Sequence, residues 1–172
     1  MDEKKDLVGA GDGLDSRYNK KNEIVWLEDV RKKCEEYGIK FDMVVGCSVG
    51  SCVGAFMCAD MGFKKIYNIA KQLQVKDIKR NKIKFMPSST EGLEELISNN
   101  IKQKSIEELP KKLYIVSVDA NTGKEVVFDS GSLAKAVAGS CAVPGVFYAV
   151  EYNNMTLIDG GVLNNIPADV LI

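Results

Sequence analysis

The stretch Val44-Val45-Gly46-Cys47-Ser48-Val49-Gly50 constrains this chain more than any other. It holds a G-x-S-x-G pattern where the hydrophobic periodicity changes. Phe41 to Val45 is a short, mostly apolar run that reads as a buried strand, and Ser51 to Met61 is rich in small and apolar residues and reads as a helix. A serine between two glycines at a strand-to-helix turn is the sequence form of a nucleophile elbow. Such a turn leaves little room for side chains on its flanks, which accounts for Gly46 and Gly50. The Ser48 hydroxyl then stands at the C-terminal end of the strand, over the start of the next helix. The unpaired N–H groups and dipole of that helix end favour developing negative charge. The N–H of Val49, the residue after the serine, is the first candidate donor to it. The blander reading, in which the glycines only let a helix pack closely on a sheet, does not use the serine between them.

Composition narrows the chemistry. The 172 residues contain no histidine, so a Ser-His-Asp triad cannot be assembled from them and any serine chemistry needs another base. Histidine-ligated metal catalysis is excluded on the same ground, and no cofactor motif is present. A net charge of −1 argues against a general nucleic-acid binder. Hydrophobic and charged contents of 45% and 27% are those of a globular chain, here read as a single domain over 1–172. The five cysteines, Cys34, Cys47, Cys52, Cys58 and Cys141, are odd in number and lack C-x-x-C spacing, which suits reduced thiols in a cytoplasm. No apolar run approaches a membrane span, and Met1 to Asp6 shows no signal-peptide core.

Along the chain, helices and strands alternate. Gly9-Ala10-Gly11-Asp12-Gly13 is a glycine-rich loop that reads equally as a flexible terminus or as a backbone cradle for an anion. Ile24, Leu27, Val30, Cys34 and Tyr37 recur at helical spacing, with Gly38 as a stop. Gly50, Gly54 and Ala55 give the elbow helix a small-residue face, and Gly62 is its expected end. Lys64 to Lys84 is lysine-rich, a pattern that is most often a solvated face and otherwise a contact for anionic membrane headgroups. Ser89 or Thr90 caps a helix through Leu93, Leu96, Ile97 and Ile101, and Ser105 to Pro110 reads as a short helical turn. Leu113 to Val118 is rich in β-branched residues, turns at Asn121-Thr122-Gly123 and returns as Glu125 to Phe128. Ser132 caps a helix over 133–140. Phe147 to Tyr152 and Met155 to Ile158 form a hairpin around Asn153-Asn154, a good type I′ pair. The class is α/β, with a mostly parallel central sheet flanked by helices and antiparallel hairpin additions.

Asp159 is the second special residue. It follows the strand Thr156-Leu157-Ile158 and precedes Gly160 and Gly161. Alone, D-G-G reads as a tight turn. In a chain with G-x-S-x-G and no histidine, a carboxylate at a strand end is the best candidate to take the proton of Ser48 and return it to a leaving group.

Four stretches in order carry a family resemblance: Asp42 to Ser51, Asn121 to Glu125, Ala136 to Phe147, and Leu157 to Pro167. From about Glu23 onward the chain resembles the patatin-like phospholipases in their compact bacterial form. The resemblance implies a lipid acyl hydrolase with a Ser-Asp dyad, Ser48 as nucleophile and Asp159 as its partner, acting on fatty-acyl esters or phospholipids. It also implies that the stretch Ala136 to Phe147, ending Ala-Val-Pro-Gly-Val-Phe, packs beside the site. Two features depart from the family pattern. Ser16 to Asn22, where the family's glycine-rich oxyanion loop would open the helix, holds no glycine, so Gly9 and Gly11 upstream are the remaining loop donors. The chain also ends soon after the D-G-G turn, where the family continues with further strand and helix. A catalytically weak lipid- or partner-binding module on the same fold is the competing expectation.

Overall fold

The structure, a computed structural model, describes residues 37–38, 42–72 and 87–172. Every element named below belongs to one compact unit, Phe41–Ile172. The helix expected over 24–37 lies outside the described residues apart from Tyr37, which forms a turn with Gly38, the latter in the left-handed region at φ 64°.

Among the described residues five strands form one mixed sheet: β1 (Met43–Cys47), β2 (Lys112–Asp119), β3 (Lys124–Phe128), β4 (Val150–Tyr152) and β5 (Met155–Asp159). Among the described residues the α-helices are α1 (Val49–Cys58), α2 (Phe63–Gln72), α3 (Glu91–Asn100) and α4 (Leu133–Ser140). The α/β class holds. Among the five strands described, β1 and β2 pair in parallel, while β2–β3, β2–β5 and β4–β5 are antiparallel. Helix α1 packs on β1 and β2, and α4 packs on β2, β4 and β5 and against α1 and α3. The core between them holds Phe56, Ile97, Leu113, Ile115, Leu133, Val137 and Leu157. Gly54 serves this packing, since a Cβ there would lie 3.1 Å from Leu113 and 3.2 Å from Val44. Among the described residues no helix is long and apolar enough to cross a membrane.

The pairing of β2 decides where the site falls. Residues 115–119 of β2 pair with β3 on one edge. β1 pairs with 112–116 and β5 with 117–119, so both must occupy the other edge. β1 runs parallel to β2 and β5 antiparallel, so their C-terminal ends meet: Cys47 stands opposite Val116 and Asp159 opposite Ser117. Two strands abutting end to end thus bring the residue after Cys47 next to Asp159.

Local signals explain most boundaries, with one reversal. α1 ends at Cys58, ahead of Gly62, through a Schellman arrangement. Asp60 takes the left-handed conformation at φ 54°, its N–H donates to Met57 O, and the Met61 N–H donates to Phe56 O. Gly62 instead starts α2: its carbonyl accepts the N–H groups of Lys65 and Ile66. Before α3, Ser89 is the serine that acts, its Oγ accepting the Glu91 N–H at 3.1 Å, while Thr90 makes no side-chain cap. Ser105 and Glu108 form a capping box on the turn Ile106–Glu108. Asn153 and Asn154 have φ of 51° and 60°, the paired positive values of a type I′ turn. Asp119 organises the β2–β3 turn by accepting hydrogen bonds from Thr122 Oγ1 and from the Asn121 and Thr156 N–H groups. The Thr122 hydroxyl, more than the backbone donors, holds that carboxyl below the usual range against the opposing effect of burial.

Candidate active site

β1 ends at Cys47, two residues beyond the strand end expected from sequence, and runs straight into Ser48. Ser48 has φ 54° and ψ −132°, a conformation that costs a non-glycine residue about 1–3 kcal/mol. A serine at a helix N-cap ordinarily turns its hydroxyl onto the first-turn N–H groups, a bond worth about 1 kcal/mol. Ser48 makes no such bond. Its Oγ turns away and donates to Asp159 Oδ2 at 2.6 Å, across 111 positions of sequence. Strain and a forgone cap at one residue are what an elbow serving chemistry would show. Ser51 takes over the local bonding, since its Oγ and its N–H both donate to the Ser48 carbonyl, at 2.6 and 2.9 Å.

Asp159 is 5% exposed and fixed at both ends. Its N–H donates to Ala142 O at 3.0 Å. Its Oδ1 accepts the Gly161 N–H at 2.8 Å, which leaves Oδ2 for Ser48. D-G-G is therefore a tight turn and a carboxylate mount together, one oxygen for each. A side chain at Gly160 would run into the Val116 carbonyl and the Cys47 sulfur, and one at Gly161 would lie 3.0 Å from Asp159 Oδ1.

The elbow glycines differ. A Cβ on Gly46 would lie 2.5 Å from Ser51 Cα and 2.7 Å from Gly50 O, so the turn excludes any side chain there. A Cβ on Gly50 would meet nothing within 4 Å among the described residues. Among the described residues nothing crowds Gly50 at the first turn of α1, so the steric demand expected on both flanks of the turn is seen at Gly46. Val49 beside it is 71% exposed. As the first residues of a helix, Val49 and Gly50 carry N–H groups with no carbonyl partner inside it. Gly9 and Gly11, the loop candidates, lie outside the described residues.

Ser140, missed in the sequence, also meets Ser48. It is fully buried at the end of α4, and its Oγ accepts the Ser48 N–H at 2.9 Å. It lies in the segment 136–147, and Ala142 of the same segment holds Asp159, so this stretch does pack beside the site. Nothing in the local pattern separates Ser140 from any other serine near a helix end.

The neighbouring thiols are held in their neutral form. Burial, then the charge of Asp159, pushes the Cys47 thiol up to about 11. Burial pushes Cys52 up to about 12 and raises Cys141 further, so these sulfurs stay protonated at neutral pH.

Comparison with known proteins gives the family. The family model of the patatin-like phospholipases matches residues 27–172. An uncharacterized NTE family protein of Mycobacterium tuberculosis is 41% identical over 66 residues, 38% of this chain and 11% of that protein. Patatin-like phospholipase domain-containing protein 7 of Rattus norvegicus is 31% identical over 145 residues, 78% of this chain and 11% of its own length. Neuropathy target esterase sws of Drosophila melanogaster is 28% identical over 151 residues, 81% of this chain and 10% of its own. The chain thus spans about a tenth of the length of these relatives. With Ser48 and Asp159 joined at the abutting ends of β1 and β5, and with the family's pattern matched through to the last residue, the chain belongs to the patatin-like phospholipase family.

Proposed function

We propose that the chain is a serine lipid acyl hydrolase, cleaving fatty-acyl esters, phospholipids among them, through an acyl-Ser48 intermediate. Ser48 Oγ attacks the ester carbonyl carbon while Asp159 Oδ2 takes its proton. The tetrahedral oxyanion then collapses, the alcohol leaves with the proton held by Asp159, and Ser48 carries the acyl group. Water, deprotonated by the same carboxylate, repeats the attack and frees the fatty acid. The observation that carries this reading is the 2.6 Å bond from a strained, uncapped serine to a buried carboxylate whose other oxygen is already occupied. Two of the similar proteins are named as a patatin-like phospholipase domain-containing protein and an esterase, which supports the same substrate class. Release of fatty acid from a phospholipid and ester panel tests it. Lipid binding without turnover would favour the second reading, a binding module, for which the missing glycines in Ser16 to Asn22 speak.

The oxyanion needs at least two donors. We assign one to the Val49 N–H; for the other, the sequence offers the glycine-rich loop Gly9 to Gly13, which lies outside the described residues. Gly11→Pro removes an N–H and stiffens that loop, so kcat should fall by about 10²–10³-fold with KM little changed. Unchanged kcat in Gly11→Pro would move the donor elsewhere. Peripheral contact with anionic membranes through Lys64 to Lys84 belongs to the same proposal. Binding to anionic vesicles should weaken as salt is raised, and equal binding to neutral vesicles would remove the electrostatic contact.

A further inference from the structure

The Ser48 N–H lies at the N-cap of α1, with no acceptor inside its own helix. Its partner is Ser140 Oγ at 2.9 Å, brought from α4 across 92 positions of sequence. The same Oγ donates to the Val116 carbonyl at 2.6 Å. This arrangement has no rotational freedom. A carbonyl can only accept and an N–H can only donate, so the single hydroxyl proton is committed to Val116 and a lone pair must face Ser48. Ser140 is fully buried, so water does not replace either bond. A serine at a helix end commonly bonds back to its own helix, whereas this hydroxyl spans from the nucleophile's backbone to the sheet.

The anchor point is informative. Val116 stands opposite Cys47 at the end of β1, and the next residue of β2, Ser117, stands opposite Asp159 at the end of β5. The Ser48 backbone is therefore referenced through Ser140 to one residue of β2, and the Asp159 backbone to the next. We propose that Ser140 is a positioning residue for the nucleophile. It holds Ser48 in its strained conformation so that Oγ meets Asp159 Oδ2, and it acts through Ser48 without touching substrate. This rests on the assignment of Ser48 as the nucleophile.

Ser140→Ala, Ser140→Thr and Ser48→Ala test it together. Ser140→Ala should lower kcat by about 10- to 100-fold, the cost of a small misplacement of a reacting group, with KM within about threefold of wild type. The rate of fluorophosphonate labelling should fall by the same factor as kcat, and Ser140→Thr should recover most of both. Ile97→Val, a core trimming away from the site, serves as the control for general destabilisation. In the wild-type protein, amide hydrogen exchange at Ser48 should be slow for a helix N-cap, a readout that needs no variant to fold. Fast exchange at Ser48, or a kcat for Ser140→Ala no lower than that of Ile97→Val, overturns the role of Ser140. If Ser48→Ala keeps its turnover, the nucleophile assignment fails first. If Ser48→Ala is inactive while Ser140→Ala is normal, only the positioning role fails.

Discussion

Ser48→Ala is expected to lower ester turnover by about 10⁴-fold or more, because the acyl group then has no oxygen to be carried on. The fold should survive. Ser48 is half-buried, its hydroxyl caps no helix, and the first turn of α1 is held by Ser51 instead. The Ser140 bond is to the Ser48 main chain, so alanine keeps it. Turnover measured beside a thermal melt checks both halves: activity lost with a melting temperature near wild type is expected. Retained turnover would remove Ser48 from the chemistry.

Asp159→Asn is expected to cost about 10³–10⁴-fold in kcat, in line with the loss of a base that holds its partner in the right protonation state. The carboxylate uses its two oxygens separately, Oδ1 for the Gly161 N–H and Oδ2 for the Ser48 hydroxyl. An asparagine has one oxygen. Keeping the D-G-G turn points its NH₂ at Ser48, where it donates and cannot accept the proton. Asp159→Ala loses the turn bond as well and should add a stability loss of about 1–2 kcal/mol that Asp159→Asn does not show. Melting curves of the two variants beside their rate constants separate the roles. Equal stability of both would mean that the Gly161 bond does not hold the turn, and wild-type turnover in Asp159→Asn would mean that the carboxylate is not the base.

Features set by a few neighbouring residues were legible in the sequence. The strand before Ser48, the helix over 133–140, the Asn153-Asn154 turn and the D-G-G turn all follow from local patterns and stand in the structure. Features decided by competition between residues were misjudged. Asp60 adopts the left-handed conformation that glycine was expected to supply, and Gly62 starts a helix rather than ending one. The expectation for Gly50 treated both flanks of the turn alike, although only Gly46 lies under the backbone of Ser51. What sequence could not show is long-range placement. That β1 and β5 share one edge of β2 and meet end to end depends on register, and it explains why Ser48 and Asp159 touch. The reach of Ser140 across to Val116 has no local signature at all.

The pairing of Ser48 with Asp159 is tested most directly by locating the adduct of a fluorophosphonate ester by peptide mass spectrometry, in the wild-type chain and in Asp159→Asn. One phosphonyl group per chain on the peptide containing Ser48, formed much more slowly in Asp159→Asn, is the expected result. Ester turnover with Ser48 unlabelled, an adduct on another serine, or equal labelling rates with and without the carboxylate would contradict it.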